Sequence, residues 1–173
     1  PIMDGSAYPF FFAMMSAGIA EQDVPKKYFV ITKQVEVRGE HGAYCEISPY
    51  LNGFKGDFEL NMDSDHVVNK ASIDLSGRQN VPPNFIRART FGYRRDLTAL
   101  HQKKLALGAN ENNVIALDED GNSTPLRFKN ELPMHKLLDA FGDLRLLGGD
   151  LKGYFKGYQS NHAMNALLMQ KIK

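Results

Sequence analysis

Three titratable side chains recur every four residues in the stretch MHKLLDAFGD, namely His135, Asp139 and Asp143. On an α-helix each residue advances by about 100°, so the three fall on one face, within an arc of about 80°. An imidazole and a carboxylate one turn apart suit a catalytic zinc, which takes three protein ligands and leaves a fourth position for water. Ordinary His–Asp surface pairs have the same spacing, so spacing alone leaves both interpretations open.

Another histidine, His162, stands in the stretch YQSNHAMN, where the last helix is predicted to begin with Ser160 or Asn161 as its cap. From the residues alone, His162 is the candidate for a third zinc ligand. The alternative is a histidine at a helix terminus that is hydrogen-bonded to backbone. The other histidines have polar neighbours and are predicted to be solvated: His41, His66 and His101.

Composition indicates an ordinary globular domain. The 173 residues are 43% hydrophobic and 24% charged, which predicts a packed core. The net charge of +1 does not favour a nucleic acid or a membrane surface as partner. A single cysteine, Cys45, excludes an internal disulfide and fits a reducing compartment. No apolar run approaches the ~18 residues that span a bilayer, so no transmembrane segment is predicted.

Some stretches have the hydrophobic period of an α-helix and others that of a β-strand, which predicts an α+β fold. Helices are predicted over 6–19, over 81–105 with an interruption near Gly92, around the MHKLLDAFGD stretch as far as Gly148, and from Asn161 onward. Strands are predicted over 28–37, 43–50, 55–62, 67–75, 112–121 and 151–159. Glycine-containing turns between the first strands favour an antiparallel meander.

Two basic stretches support a hypothesis from a different class. RARTFGYRR and KGYFKGY interleave cations with aromatic residues, as sites for phosphates or nucleic-acid bases do. A non-catalytic α+β binding module would use Arg89, Arg94, Lys152 and Lys156. Nearby acidic residues and the net charge favour a solvated rim over a nucleic-acid surface.

Five segments, found in this order, carry a family resemblance: PIMDGSA, RARTFGYRRD, ALGA with NVIALD, LRFKNELPMHKLLDAFGDLRLLG, and GYQSNHAMN. With them the chain resembles the C-terminal portion of the UDP-3-O-acyl-N-acetylglucosamine deacetylases, the zinc amidases of lipid A synthesis in Gram-negative bacteria. The resemblance covers essentially the whole chain. It implies a cytoplasmic enzyme that uses Zn²⁺ to remove the N-acetyl group of UDP-3-O-(3-hydroxyacyl)-N-acetylglucosamine.

The resemblance also implies a domain organisation. Residues 28–173 match the catalytic domain, a two-layer sandwich of a mainly antiparallel sheet on helices, with a βαβ-like insert at about 93–118. Residues 1–22 match the last strand and helix of a preceding similar domain, and 23–27 a linker. We therefore expect the chain to be a fragment, inactive alone, whose preceding domain supplies the third zinc ligand and the general base. A fusion to another enzyme beyond Lys173 is a further possibility.

Catalytic roles follow by resemblance, position by position. His135 and Asp139 match two zinc ligands. Asp143 and His162 match a pair in which the aspartate orients the histidine, whose protonated form stabilises the oxyanion and protonates the leaving amine. The resemblance thus makes His162 a proton donor instead of a third ligand.

Substrate contacts follow in the same way. Lys136 matches a lysine that binds the diphosphate, Thr90 a threonine beside the tetrahedral intermediate, and Phe91 an aromatic near the sugar. The insert implies an apolar passage for the acyl chain, lined by Leu97, Leu100, Ile115 and Ala116. The chain departs from the family pattern at Met62, where an aromatic residue commonly stacks on uracil, and at Gln159, where a lysine is frequent.

Overall fold

A computed structural model describes residues 3–62, 68–77, 81–118 and 124–172. Its helices are α1 (Tyr8–Ala17), α2 (Pro83–Arg87), α3 (Leu97–Gln102), α4 (Glu131–Arg145) and α5 (His162–Ile172). Its strands are β1 (Tyr28–Val30), β2 (Val35–Arg38), β3 (Tyr44–Ser48), β4 (Phe54–Glu59), β5 (Lys70–Asp74), β6 (Phe91–Tyr93), β7 (Ile115–Leu117) and β8 (Asp150–Tyr158). Short 3₁₀ turns lie at Glu40–Gly42 and Arg94–Asp96.

Strand β8 lies at the centre of a mixed six-stranded sheet of order β2-β3-β8-β4-β5, with β1 pairing the start of β8. It runs antiparallel to β3 and parallel to β4. Along β8 buried and half-buried residues alternate, as the sequence predicts. The α+β class is confirmed. The predicted meander is wrong, because β8 comes between β3 and β4.

Two glycines allow β8 to occupy this central position. A Cβ on Gly153 would lie 2.8 Å from Cγ1 of Ile31, and a Cβ on Gly157 would lie 2.7 Å from ring carbons of Phe58. Both distances are shorter than real Cβ contacts allow. The side chains of Ile31, just after β1, and Phe58 of β4 therefore occupy the space that these glycines leave. The glycine-containing turn between β3 and β4 predicts that these two strands pair with each other. It cannot predict that β8, much later in the sequence, pairs between them.

Helices α4 and α5 cover one face of the sheet and complete the two layers. Their buried side chains meet those of the sheet in one core that includes Leu132, Leu137, Ala140, Leu144, Leu168, Ile47 and Phe155. The buried positions of α4 follow helical spacing. The opposite positions of the same helix are therefore left for polar residues.

The predicted βαβ-like insert is present. Strands β6 and β7 pair in parallel, and α3 lies between them in the chain. The interruption that the sequence predicts near Gly92 is strand β6, which separates α2 from α3. The N-terminal segment is fixed against this insert, because the Thr90 N–H donates to the Gly5 carbonyl (3.0 Å). Gly5 has φ +78, and a Cβ there would overlap the carbonyl oxygen of Asn113, so the close approach requires glycine.

Helix α1 has no buried residue, although its sequence is almost wholly apolar. Phe12 and Met14 are 59% and 62% exposed. The helix begins after Ala7, so Ser6 is not its cap residue, although the Ser6 hydroxyl accepts the Tyr8 N–H (3.3 Å). None of the helices within the described ranges has the length and apolar character that a bilayer crossing requires.

Candidate active site

Helix α4 presents His135, Asp139 and Asp143 on one side, and the start of α5 places His162 beside them. Nε2 of His135 lies 3.4 Å from Oδ1 of Asp139. Nδ1 of His162 lies 2.8 Å from Oδ2 of Asp143, and its Nε2 lies 3.8 Å from Oδ2 of Asp139. The four predicted side chains therefore form one connected group.

The ring of His135 is held in a defined orientation. Its side chain is only 12% exposed, and its Nδ1 lies 3.0 Å from the carbonyl oxygen of Ala88. A carbonyl can only accept, so Nδ1 carries the proton and Nε2 presents its lone pair on the Asp139 side. Burial lowers the pKa of His135, while Asp139 and the Ala88 carbonyl oppose that shift. The Ala88 bond leaves Nε2 as the ring nitrogen available to a metal, which binds the neutral form of imidazole.

His162 differs from His135 in exposure, since 66% of its side chain is accessible. The buried Asn165 donates from Nδ2 to the same Asp143 oxygen as His162 (2.9 Å). Two donors therefore fix the Asp143 carboxylate. Asn161 caps α5, because its Oδ1 accepts the Met164 N–H (3.1 Å), which decides between the two predicted cap residues.

His135, Asp139 and His162 line a polar cavity of about 310 Å³. Nζ of Lys136 lies 2.9 Å from Oδ2 of Asp139 at its wall. We call this the polar cavity. Its lining residues are Leu60, Thr90, Phe91, His135, Lys136, Asp139, Gln159, Ser160 and His162.

A second cavity, of about 610 Å³, extends from the same place into the insert. We call it the apolar cavity. Of the four residues expected at the acyl passage, Leu97, Leu100 and Ala116 line this cavity and Ile115 does not. Ile115 faces the opposite side of β7 and is fully buried in the core, since alternate strand residues point to opposite faces. Thr90, Phe91 and His135 line both cavities.

Two donors for a metal are present at the polar cavity, His135 and Asp139. Groups of three His, Cys, Asp or Glu side chains placed to bind a metal do not occur among residues 3–62, 68–77, 81–118 and 124–172. His66 lies outside these residues. The donors fit zinc in kind, because a neutral imidazole and a carboxylate are both ordinary zinc ligands. A complete site requires at least one more ligand.

The cations of the alternative hypothesis have other partners. Arg89 is buried in an ion pair with Glu131 (2.8 Å). Arg94 pairs with acidic residues of the insert, Lys152 lies over the ring of Tyr28 (4.6 Å), and Lys156 pairs with Glu46 (3.3 Å). Within the described residues, each of these four cations therefore has an acidic or aromatic partner.

The remaining predicted positions lie at the edge of the site or away from it. Gln159 donates to the carbonyl of Asn61 (3.2 Å), and Met62 packs at the margin of the core. His41 and His101 are exposed, as expected.

Sequence reasoning missed Glu131, which is fully buried one helical turn before His135. The signal available was a charged residue at a buried helix position.

The fold and the site define an α+β protein with a histidine–aspartate centre where a polar and an apolar cavity meet. The model of one family, described as UDP-3-O-acyl N-acetylglycosamine deacetylase, matches residues 1–173, and the chain belongs to this family. It is 46% identical to UDP-3-O-acyl-N-acetylglucosamine deacetylase of Pseudomonas entomophila over 179 aligned residues. It is 43% identical to the proteins of the same name from Ruthia magnifica and Psychrobacter cryohalolentis.

The aligned regions cover 99% of this chain in each case. They cover 57% of the first two relatives and 54% of the third. The chain thus spans a little over half the length of these curated relatives.

Proposed function

We propose that this chain carries part of the active site of a zinc-dependent deacetylase. Its reaction is hydrolysis of the N-acetyl group of UDP-3-O-(3-hydroxyacyl)-N-acetylglucosamine, in the cytoplasm, as a step of lipid A biosynthesis. The observation that carries the proposal is the meeting of His135, Asp139 and His162 at one polar cavity that adjoins an apolar one, with Asp143 bound to His162. Family membership and the names of the relatives support it.

In this proposal Nε2 of His135 and a carboxylate oxygen of Asp139 hold the zinc. When bound, zinc polarises an amide carbonyl and lowers the pKa of water towards ~7. The bond from His135 to the Ala88 carbonyl keeps the ring turned towards Asp139. The remaining ligand and the general base would come from outside these residues; the relatives, of which the chain covers 57%, are long enough to contain a further domain.

His162 supplies the proton that an amide nitrogen needs before it can leave as an amine. Asp143 accepts the Nδ1 proton of His162 (2.8 Å) and stabilises the imidazolium. This contact aims Nε2 towards Asp139, so the acid stands next to the metal-binding carboxylate. The exposure of His162 allows it to exchange protons with solvent between turnovers.

Substrate recognition divides between the two cavities. In this proposal the Lys136 ammonium binds the diphosphate of the substrate. Thr90 borders the reacting centre, and Phe91 borders the sugar. The apolar cavity takes the acyl chain, in contact with Leu97, Leu100 and Ala116. Each buried methylene there contributes about 0.8 kcal/mol.

Two variants in the full-length protein test the proposal. We expect Asp139→Ala to lose both zinc and acetate release. His162→Ala should keep zinc and lose acetate release, because it removes only the acid. His101→Ala, which changes an exposed histidine of α3, is the matched control and should leave both readouts unchanged. Normal turnover in the first two variants would refute the proposed function, and loss of zinc in His162→Ala would make His162 a ligand.

A further inference from the structure

The Glu131 carboxylate is the most enclosed charged group in the part of the chain that the structure describes, with no exposed surface. Nε and Nη2 of Arg89 donate to its two oxygens (2.8 and 3.1 Å). Two backbone N–H groups donate as well, that of Arg89 to Oε1 (3.1 Å) and that of Arg127 to Oε2 (2.6 Å). The carboxylate is therefore fully satisfied, in a site built by three segments of the chain.

The Arg89 N–H and the Ala88 carbonyl belong to one peptide group. Its N–H donates to Glu131, and its carbonyl accepts from Nδ1 of His135 (3.0 Å). Glu131 and His135 lie one turn apart on α4. Helix α4 thus holds this single peptide group from both ends, with a carboxylate on one side and an imidazole on the other.

We propose that Glu131 is a positioning residue for His135, acting through the Ala88–Arg89 peptide group. By accepting the N–H, the carboxylate fixes the plane of the peptide and with it the direction of the carbonyl. The carbonyl in turn holds the proton of His135 on Nδ1 and leaves Nε2 free on the side of Asp139. A carboxylate also polarises the peptide, and hydrogen bonds in a chain strengthen one another.

The hydrogen bonds to the Ala88–Arg89 peptide group also fix the two residues that follow it, Thr90 and Phe91, which line both cavities. Residues that orient a metal-binding histidine affect metal affinity by roughly 10- to 100-fold when they are removed. The zinc part of the inference rests on the proposed function. The orientation of His135 does not, because it can be measured in the metal-free protein.

The decisive comparison uses two double variants of the full-length protein, Arg89→Met with Glu131→Gln and Arg89→Met with Glu131→Leu. Both remove the buried charges together, which avoids leaving one charge unpaired. The side chains of Gln and Leu are similar in size, but only Gln keeps an oxygen that can accept the backbone N–H of residue 89. The tautomer of His135 is measured by long-range ¹H–¹⁵N NMR without metal, and zinc affinity by chelator competition.

We expect the Gln variant to keep the Nδ1–H tautomer and a zinc affinity within about threefold of the parent. The Leu variant should populate the Nε2–H tautomer and bind zinc about tenfold more weakly. Identical tautomers and affinities in the two variants would overturn the proposal and leave Glu131 as an ion-pair partner of Arg89 alone.

A further variant decides the matter if the Leu variant does not fold. Glu131→Asp keeps the charge but withdraws the acceptor from the Arg89 N–H, so it should produce the same tautomer shift, and an unchanged tautomer would overturn the proposal. If zinc affinity of the parent does not depend on His135, the proposed function fails, and the tautomer comparison still decides whether Glu131 positions the ring.

Discussion

The polar and apolar cavities share Thr90, Phe91 and His135 but are built by different parts of the chain. The polar cavity takes its charged side chains from α4 and α5, which pack on the main sheet. The apolar cavity is formed by the small βαβ insert and the N-terminal segment. The side chains proposed for catalysis thus lie on helices that pack on the main sheet, and the apolar cavity lies on a separate, attached unit.

This difference indicates that the two cavities can vary independently. We expect a change in the insert to alter the apolar cavity more than the polar one, because the two cavities share only Thr90, Phe91 and His135 among their lining residues. Variants placed in one cavity, in the other, at their border and outside both should therefore give four distinct patterns of effect.

The largest effect is expected at the polar cavity, from Asp143→Ala, which removes the partner of the lining residue His162. We expect acetate release to fall by about 100- to 1,000-fold, within the range of general acid–base contributions, because His162 loses its orienting partner. Zinc content should not change. Asn165→Ala removes the other donor to the same oxygen and should cost less than tenfold. If both variants lose activity equally, Asp143 acts through packing and not through His162.

The next largest effect is expected in the apolar cavity, from Ala116→Phe. The added ring occupies space for about three methylenes, so kcat/KM for a long-chain substrate should fall about 50-fold. A substrate without the long acyl chain should react at the parent rate. Leu107→Phe is the control, since Leu107 is in the same insert but is 70% exposed. Equal losses for both substrates would contradict the independence of the cavities.

A smaller effect is expected at the border, from Phe91→Leu. Phe91 packs edge-to-face on His135, with ring centroids 6.4 Å apart. Such pairs contribute about 0.5–1.5 kcal/mol, so kcat/KM should fall about fivefold. Because Phe91 lines both cavities, the loss should be the same for long-chain and short-chain substrates. A loss confined to long chains would place Phe91 in the apolar cavity alone.

The smallest effect is expected outside both cavities, at Cys45 of β3. Burial raises the pKa of this thiol from 9.0 to about 11. The folded state therefore holds the proton more tightly than the unfolded state, and this stability is present below pH 9 and is lost as pH rises towards 11. Between pH 9 and 10 the loss is about 1 kcal/mol of unfolding free energy, from 1.36 kcal/mol per unit of pKa.

Urea unfolding at the two pH values measures this loss, with Cys45→Ala as the control. The variant should lack this part of the alkaline loss and should release acetate at the parent rate at pH 7. An identical pH dependence in the variant would show that the thiol does not titrate as described.

Much of the site could be predicted because it follows helical periodicity. The spacing of His135, Asp139 and Asp143 determines that they share a face of α4, whatever the rest of the fold does. The alternation along β8 is a similar local property. The role expected for His162 came from the resemblance, and the spacing alone favoured a different one.

Other features depend on contacts that no local pattern encodes. Strand β8 pairs between β3 and β4, and side chains from distant parts of the sequence fit over its glycines. Ile115 was expected at the apolar cavity, but the pleat of β7 turns it into the core. Glu131 is buried because Arg89, two backbone N–H groups and the fold around them satisfy its charge. Sequence spacing contains none of this information.

The central place of β8 also determines when the protein can fold. The hairpins β2–β3 and β4–β5 leave the ribosome early, but Tyr44 and Phe58 find their strand partners only when Tyr158 and Gly157 have been synthesised. Until then two strand edges remain open, and open edges invite pairing with other chains. Non-local pairings of this kind also slow folding. A chain that stops before β8 would lack the strand that joins its two halves, so we expect synthesis of the last quarter of the sequence to set the pace at which the site forms.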